Sequence, residues 1–346
     1  EMSIDKLIAK FKFMNILVVG AGLSGATIAR ELAEAGHSVH VIDRRDHVAG
    51  NAFDYTNEHG IRVHEYGPHL FHTNNKEVFE YLGKFTTWVP YRHKVKAQLE
   101  DGRHVTLPVN KETKEIVGEE NVLDIFFRPY TKKMWGVELD ELNPDIINRV
   151  PIRDDDNEYY FPNDEYQAMP KDGYTKMVEN MLYHHNIRVE TNTEYNYHMD
   201  SKYDHVFNSM PIDQWFDFKY GKLPYRSIRF ETVHLPMTRA LPTATVNFTH
   251  DGPKTRVTEW KNIPCHGDNK YITTLTFEEP CDYADNNFER YYQVKDRDGK
   301  NRELYEKYKN EIPENVTFIG RCGLYAYLDM HQAVNSALAI ARKFLS

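Results

Sequence analysis

A glycine-rich segment directly after an apolar run is the feature that most constrains how this chain folds. The run Asn15–Val19 reads as a buried strand, and the sequence GAGLSG follows it at residues 20–25. In this G-x-G-x-x-G spacing, Gly20 permits a tight turn, Gly22 lets the backbone approach a pyrophosphate, and Gly25 lets the next helix pack closely on the strand. The segment therefore predicts the first turn of a βαβ unit that binds a dinucleotide.

The residues that follow complete such a unit. Ala26–Ala35 favours a helix, Gly36 suits the position just past a helix C-terminus, and Ser38–Asp43 reads as a second strand. Asp43 lies about 20 residues beyond the glycines, where a carboxylate binds the adenosine ribose hydroxyls. A plain glycine-rich turn in another α/β protein is the alternative, and the agreement of all these positions argues against it.

The bulk composition excludes several classes of protein. With 346 residues, 40% hydrophobic and 27% charged, the chain is expected to form two or three globular lobes. The net charge is −9 and no basic stripe is visible, so we expect no nucleic-acid partner. No apolar stretch approaches the roughly 18 residues that span a bilayer, so we expect no membrane insertion.

Cysteine usage and the first residues indicate a cytoplasmic protein. Cys265, Cys281 and Cys322 form neither a C-x-x-C motif nor an even disulfide framework. Residues 1–13 alternate charged and apolar residues and lack the apolar core of a signal peptide, so we read them as an extension or tag. Reduced thiols in the cytoplasm are the expectation.

Beyond the opening unit the pattern changes. Val95–Val109 reads as a hairpin around Asp101-Gly102, and Glu112–Asn148 favours helix. Short β-rich runs between Ser227 and Phe277 predict an antiparallel sheet, a different class from the opening.

The chain ends with a strand, a glycine and a helix, at Val316–Gly320 and Met330–Phe344. This returning unit predicts a discontinuous dinucleotide domain in an α/β fold, with an inserted small helical lobe and an antiparallel sheet lobe. The expected limits are 14–82, 201–222 and 310–346 for the Rossmann-like domain, 110–150 for the helical lobe, and 83–109, 151–200 and 223–309 for the sheet lobe.

Few side chains offer chemistry of their own. His184-His185 and the pair His69 and His72 lack a carboxylate or cysteine at ligand spacing, so no metal is expected. No G-x-S-x-G and no Cys–His pair is visible, which makes a cofactor the expected source of reactivity. Arginines beside aromatic residues suit a diphosphate, and Arg149, Arg153 and Arg256 are the candidates. For any one of these arginines, the alternative is a charge on the protein surface that binds no ligand.

Motifs spread over nearly the whole chain from Met14 carry a family resemblance. They are the opening glycines, GNA at 50–52, YGPHLFHT at 66–73, YTKKMWG at 130–136, RVPIR at 149–153, YF at 160–161, PKDGYT at 170–175, YRS at 225–227, KTR at 254–256, GR at 320–321 and YLDMH at 327–331. On these motifs the chain resembles the UDP-galactopyranose mutases, flavoproteins that interconvert UDP-galactopyranose and UDP-galactofuranose.

The resemblance implies a reaction without net redox change. Non-covalently bound FAD in its reduced form would attack the sugar's anomeric carbon through N5 and expel UDP, and ring opening would proceed through a flavin–sugar iminium. NADH or NADPH would reduce the flavin, and a homodimer would be the assembly. The protein would contribute positioning and charge stabilisation.

Site residues are carried over from the family by motif. Arg149 resembles the mobile-loop arginine that closes on the diphosphate, Arg256 its partner from the sheet lobe, and His69 the histidine beside the flavin. Substrate contacts would come from Phe126 and Tyr130 at uracil, Trp135 and Asn247 near the sugar, and Tyr160, Tyr292 and Tyr327 at the phosphates. Cofactor contacts would come from Gly20, Gly22, Gly25, Asp43, Arg44, Gly50, Asn51, His64, Arg321, Asp329 and Met330.

Two departures from the family keep alternatives open. Only about 20 residues separate Val109 from Tyr130, a shorter helical segment than the family's. The segment ERYYQ at 289–293 replaces the usual Pro-Tyr-Tyr-Pro. UDP-N-acetylgalactosamine or a dTDP-deoxysugar is therefore an alternative substrate. An amine-oxidase-type flavin oxidase and a non-catalytic nucleotide-sugar-binding flavoprotein are alternative functions.

Overall fold

The computed structural model describes residues 3–5, 8, 12–147 and 152–346 of the chain. Arg149, predicted to close on the diphosphate, lies outside the described residues. Most of the predicted 1–13 extension lies outside them too, and Ile4 and Ile8 within it are exposed. In the part of the chain that is described, every helix is too short or too polar to cross a membrane.

Seventeen strands are present in the described ranges. They are β1 (Asn15–Val19), β2 (Ser38–Ile42), β3 (Asp54–Thr56), β4 (Arg62–His64), β5 (Phe71–Thr73), β6 (Trp88–Pro90), β7 (Val95–Gln98), β8 (His104–Leu107), β9 (Tyr166–Pro170), β10 (Ile187–Glu190), β11 (His205–Asn208), β12 (Tyr225–Leu235), β13 (Thr245–Phe248), β14 (Arg256–Glu259), β15 (Thr273–Asp282), β16 (Tyr292–Gln293) and β17 (Val316–Phe318).

Ten α-helices accompany these strands in the same ranges. They are α1 (Leu23–Glu34), α2 (Lys76–Gly83), α3 (Lys111–Val117), α4 (Arg128–Trp135), α5 (Pro144–Ile147), α6 (Tyr174–Leu182), α7 (Ile212–Trp215), α8 (Lys300–Lys309), α9 (Gly320–Leu324) and α10 (Met330–Leu345).

A five-stranded parallel sheet in the order β10-β2-β1-β11-β17 forms the dinucleotide-type domain. The alternating residues of β1 are buried on opposite faces. Ile16 and Val18 pack in the core that includes α1 and α10, whereas Leu17 and Val19 pack in a second core on the other face. Burial on both faces explains why β1 is a continuous apolar run. The predicted return of the chain to this sheet through β17 is confirmed.

Pairing in this sheet corrects one predicted limit. Residues 151–200 were assigned to the sheet lobe, but β10 pairs in parallel with β2, with Val189 opposite Val41. Helix α6, just before β10, packs against α1. The apolar faces of both elements are buried in the dinucleotide domain, with Met177 and Met181 in its core, so this part of the segment belongs there.

A seven-stranded sheet in the order β16-β12-β15-β14-β13-β7-β8 forms the second lobe. The predicted hairpin of β7 and β8 is confirmed, with Gly102 at φ +88° in its turn. The predicted antiparallel sheet is confirmed for its other strand pairs, whereas β13 and β7 run parallel, with Thr245 opposite Val95. These two strands come from distant chain segments, so no hairpin turn forces them to be antiparallel.

The predicted helical stretch 112–148 is broken into short pieces. Gly118 and Gly136 have φ values of +85° and +70° and follow α3 and α4, because a positive φ ends a helix and favours glycine. A π-helical turn at Leu123–Phe127 leads into α4. Apolar residues of this segment pack on the β7–β8 hairpin, so the helical lobe rests directly on the sheet lobe.

Candidate active site

The glycine loop has the close contacts expected of a dinucleotide site. A Cβ on Gly25 would lie 1.8 Å from the Gly20 carbonyl oxygen, so only glycine lets α1 approach the loop. The Cα of Gly50 would lie 3.6 Å from a Cβ on Gly22, so the two glycine turns face each other at van der Waals distance. Backbone exposed in this way at the start of a 12-residue helix suits a pyrophosphate.

Charged side chains border this loop. The Asp43 carboxylate accepts hydrogen bonds from the backbone N–H groups of Ala21 (2.8 Å) and Arg45 (2.9 Å), which fix it at the end of β2. Arg44 pairs with Glu289 at 3.1 Å. Arg45 donates to the Asn51 side chain at 3.0 Å. The predicted cofactor residues Asp43, Arg44 and Asn51 therefore belong to one network of hydrogen bonds and ion pairs that borders the glycine loop.

A cavity of about 910 Å³ lies between α4, the seven-stranded sheet and the N-terminus of α10. Predicted site residues make up a large part of its wall. Those that line it are His69, Tyr130, Trp135, Tyr160, Asn247, Arg256, Tyr292, Arg321, Tyr327, Asp329 and Met330.

A buried ion pair forms part of the sheet wall of this cavity. Arg256 on β14 and Glu278 on β15 are register partners, and Arg256 Nε lies 2.9 Å from Glu278 Oε2. Burial acts most strongly on Arg256 and lowers its pKa, but the Glu278 carboxylate and the neighbouring tyrosines together outweigh burial and hold that pKa above its usual value. Burial also raises the pKa of Glu278, against the effect of Arg256. The guanidinium is thus a fixed positive charge in a largely apolar wall.

His69 sits in a tight turn beside this pair. Gly67 adopts φ +83°, and a Cβ there would lie 2.9 Å from the Phe230 ring and 3.5 Å from Glu278 Oε1. His69 Nδ1 lies 2.8 Å from the Gly67 carbonyl oxygen, which requires a proton on Nδ1. Burial lowers the pKa of His69 to about 4, with the charges of Arg321 and Arg256 acting in the same direction. At neutral pH His69 is therefore an uncharged imidazole whose Nε2 is a hydrogen-bond acceptor.

His64 supports the turn from behind. Its Nδ1 accepts a hydrogen bond from the His69 backbone N–H at 3.0 Å, and its Nε2 lies 2.9 Å from His266 Nε2. Burial holds the pKa of His64 well below its usual range. His64 is fully buried and does not line the cavity, so it positions the turn.

Tyrosines surround the arginines of the cavity. Burial raises the pKa values of Tyr130, Tyr160 and Tyr291, so all three keep their protons. The Tyr291 hydroxyl donates to the Tyr66 carbonyl at 2.6 Å. Arg321 lies 4.6 Å from the centre of the Tyr327 ring and donates to the Leu328 carbonyl at 2.7 Å. Neutral hydroxyls beside fixed guanidinium groups suit a diphosphate.

The C-terminus of α4 is held against the sheet lobe by two side chains. Arg226 on β12 donates to the carbonyl oxygens of Met134 (2.9 Å) and Lys133 (3.0 Å). The Tyr292 hydroxyl also donates to the Met134 carbonyl. The Trp135 and Tyr292 rings meet edge to face, with centroids 5.0 Å apart. These contacts place Tyr130 and Trp135 of α4 at the cavity.

Two further features of the wall point to a polar ligand. Asn247 on β13 lines the cavity, and its buried Oδ1 has no hydrogen-bond partner among the residues that the structure describes. An unpaired buried amide oxygen is costly unless a ligand satisfies it. Asp329 caps α10, and its backbone N–H donates to Gln332 at 2.9 Å. The N-terminal end of this 16-residue helix favours negative charge at the cavity.

Some predicted residues lie elsewhere. Phe126 does not line the cavity; it packs against the hairpin cluster of Ala97, Leu99 and Val105. Arg153, a candidate for phosphate binding, is buried and donates to the carbonyls of Tyr159 (2.7 Å) and Pro108 (3.0 Å). Its guanidinium is engaged in holding the loop and does not line the cavity, and because Arg153 is buried the surface-charge interpretation is wrong for it.

Sequence reasoning missed Glu278 and Tyr291. Glu278 contacts the site because it lies opposite Arg256 on the neighbouring strand. No local sequence pattern predicts this pairing. Tyr291 was passed over in favour of its neighbour Tyr292. The paired tyrosines of the ERYYQ segment were the available signal, and both Tyr291 and Tyr292 line the cavity.

Fold and site together define an enzyme of the Rossmann dinucleotide-binding class, with a second lobe whose cavity suits an anionic substrate. A sequence model described as NAD(P)-binding Rossmann-like domain matches residues 18–85, and one described as UDP-galactopyranose mutase matches residues 125–327. The chain belongs to the UDP-galactopyranose mutase family. The predicted resemblance is therefore confirmed.

Relatives extend the similarity to the whole chain. A probable UDP-galactopyranose mutase of Klebsiella pneumoniae is 35% identical over 96% of this chain and 95% of its own length. A dTDP-fucopyranose mutase of Escherichia coli is 33% identical over 96% of this chain and 98% of its own. A crystal structure of reduced UDP-galactopyranose mutase has a TM-score of 0.79 at 16% identity, covering 97% of this chain and 94% of that one.

Proposed function

We propose that this enzyme interconverts UDP-galactopyranose and UDP-galactofuranose with FAD bound at the glycine loop. The observation that carries the proposal is the Arg256–Glu278 pair in a tyrosine-lined cavity that extends to the N-terminus of α10. A diphosphate needs a fixed cation and neutral donors, and the sugar attached to it then lies within the same cavity.

The residues at the glycine loop fit a dinucleotide. The contact between Gly22 and Gly50 leaves bare backbone where a side chain would block a pyrophosphate. Asp43 would hold the ribose, and Arg44 and Asn51 would border the phosphates. Reduced flavin supplies a nucleophilic nitrogen for the anomeric carbon of the sugar, so the reaction has no net redox change. NADH or NADPH is the proposed reductant.

Side chains of the cavity would bind and orient the substrate. Arg256, and Arg149 by its family motif, would neutralise the diphosphate as UDP leaves and returns. Tyr160 and Tyr327 would donate hydrogen bonds to it. The Tyr292 hydroxyl donates to the Met134 carbonyl, so it would meet the substrate as an acceptor or through its ring.

The neutral imidazole of His69 would act as a hydrogen-bond acceptor at the flavin. Its proton stays on Nδ1, held by the Gly67 carbonyl, which leaves Nε2 free to accept from an N–H group. Its low pKa keeps it uncharged across the physiological range. His69 would therefore orient the ring system without adding charge to it.

The test is conversion of UDP-galactofuranose by the dithionite-reduced protein, followed by chromatography. We expect UDP-galactopyranose under reducing conditions and none with oxidised flavin. Absence of product from reduced, flavin-loaded protein would overturn the proposal. Net oxidation of the sugar with peroxide formation would instead indicate the oxidase alternative, and tight UDP-galactose binding without turnover would indicate the non-catalytic one.

The dTDP-fucopyranose mutase relative favours a second candidate, a mutase for a dTDP-deoxysugar. Reduced protein given UDP-galactofuranose and dTDP-fucofuranose in equal amounts distinguishes the two. We expect faster conversion of the UDP sugar. The Arg149→Ala variant should lose activity on either substrate, and unchanged turnover would remove Arg149 from the site.

The proposed enzyme is a cytoplasmic homodimer. The support is the family membership together with the thiol usage of the chain. Light scattering after size exclusion should give twice the chain mass of 40.7 kDa. A single-chain mass across the micromolar range would contradict the dimer.

A further inference from the structure

A cluster of two histidines and one glutamate lies away from the cavity. Glu58 and His59 are in the turn between β3 and β4, and His234 is near the end of β12. One ligand atom from each residue lies within 4.8 Å of the other two. Glu58 Oε1 is 3.5 Å from His59 Nε2 and 3.7 Å from His234 Nε2. The cluster contains none of the histidines that the sequence singled out (His184, His185, His69 and His72), and His234 is remote in the chain from Glu58 and His59.

The two distances from Glu58 are close to those between ligand atoms of a tetrahedral metal centre. Zinc binds imidazole nitrogen and carboxylate oxygen at about 2.0–2.2 Å, which places neighbouring ligand atoms about 3.4 Å apart. Two histidines and a carboxylate form a ligand set that zinc commonly uses, with water in the fourth position.

A second hydrogen bond orients one of the histidines for this role. His234 Nδ1 lies 3.0 Å from Thr274 Oγ1, and that hydroxyl oxygen accepts from Asn57 Nδ2 at 3.1 Å. In the tautomer in which Nδ1 donates to the threonine, His234 Nε2 carries the lone pair. That lone pair faces Glu58. Ligating histidines usually donate their other ring N–H in this way.

The turn that carries the other two ligands is also held in place. The Asn57 side chain accepts from the backbone N–H groups of His59 and Ile61, both at 3.0 Å. Asn269 Nδ2 donates to the His59 carbonyl at 3.1 Å. The three ligands are therefore presented by two separately fixed elements.

We propose that Glu58, His59 and His234 form a binding site for Zn²⁺, completed by water. The ion would join the β3–β4 turn to the end of β12 and would take no part in the nucleotide-sugar reaction. Because the site is accessible, with the Glu58 side chain 69% exposed, exchange with free metal should be fast.

The experiment uses tag-free flavin-loaded protein, first treated with EDTA and then dialysed free of it. Zn²⁺ is titrated against a chromophoric chelator, and the melting temperature is recorded with and without one equivalent of metal. We expect one saturable site and a rise in melting temperature. Glu58→Gln and His234→Ala should each weaken binding by at least about tenfold and abolish that rise.

Two further variants separate this site from general histidine binding. Thr274→Val keeps the side-chain shape but removes the acceptor for His234, and should weaken binding about 10–100-fold. His104→Ala removes an exposed histidine on β8 and should bind Zn²⁺ like the parent. The proposal is overturned if no saturable site appears at micromolar Zn²⁺, or if Glu58→Gln and His234→Ala bind as the parent does.

Discussion

At the residue scale, the decisive group of the site is the guanidinium of Arg256. Its charge is fixed by a buried carboxylate, and its planar fork matches two phosphate oxygens where a lysine offers a single point charge. The contribution of the positive charge and that of the bidentate guanidinium geometry can therefore be tested separately.

We expect Arg256→Lys to lower kcat about a hundredfold with the fold intact, because the positive charge remains while the bidentate contact is lost. Steady-state kinetics of the reduced enzyme give the measurement. Arg229→Lys is the matched control, since Arg229 lies on β12, pairs with Glu279 and does not line the cavity. Equal rates for the Arg256→Lys variant and the parent would remove Arg256 from the reaction.

Gly25 is the residue on which the approach of α1 to the glycine loop depends. In Gly25→Ala the new methyl group would lie 1.8 Å from the Gly20 carbonyl oxygen, so the loop must move. We expect at least about a tenfold loss of flavin affinity, since the pyrophosphate relies on that backbone. The flavin-to-protein ratio after purification and a flavin titration measure this loss of affinity.

Gly102→Ala is the control for general destabilisation. Gly102 has φ +88° and open space around it in the β7–β8 turn, so alanine there costs about 1–2 kcal/mol without touching the loop. This variant should keep its full flavin content. If Gly102→Ala lost flavin as Gly25→Ala does, the effect would be one of stability.

At the element scale, the contact between α4 and β12 sets the width of the cavity. Arg226→Met removes both hydrogen bonds to the last carbonyls of α4, and we expect a loss of about 1–3 kcal/mol in the free energy of unfolding. KM should rise more than kcat falls, because Tyr130 and Trp135 bind substrate from that helix. Amide exchange of α4 should quicken in Arg226→Met and stay unchanged in Arg229→Met.

Sequence predicted the elements whose pattern is local. The βαβ unit, the β7–β8 hairpin and the returning strand β17 were found because periodicity, turn residues and glycine spacing mark them directly. The parallel pairing of β13 with β7 was missed, because register between distant segments leaves no local mark. The packing of Phe126 on Ala97, Leu99 and Val105 of the hairpin is likewise a contact between separate segments that leaves no local mark.

At the scale of the whole molecule, buried histidines link stability to pH. Burial lowers the pKa values of His69, His205 and His266 to about 4 and that of His93 to about 3. Between about pH 4 and 6.5 the unfolded chain binds protons that the folded chain does not. Stability is therefore fully present above pH 6.5 and is lost as the pH falls through that window.

Denaturant unfolding at pH 7.5, 6.0 and 5.0 measures this effect. We expect His205→Gln to lower the pH slope by up to about 1.4 kcal/mol per pH unit, the value for one proton. His104→Gln, at an exposed position, should leave the slope unchanged. A parent protein equally stable at pH 7.5 and pH 5.0 would show that these histidines do not remain neutral when folded.

The order of strands in the parallel sheet also determines how late in synthesis the domain that carries the glycine loop is complete. β1 at Asn15–Val19 carries the glycine loop, yet its neighbour β11 pairs with β17, and α10 at Met330–Leu345 covers the same core. A nascent chain held on the ribosome before residue 316 lacks both, so its glycine motif lies in a sheet without the edge strand β17 and without the covering helix α10. Flavin capture should therefore be a late event in biogenesis, and arrested chains should expose apolar surface that chaperones bind.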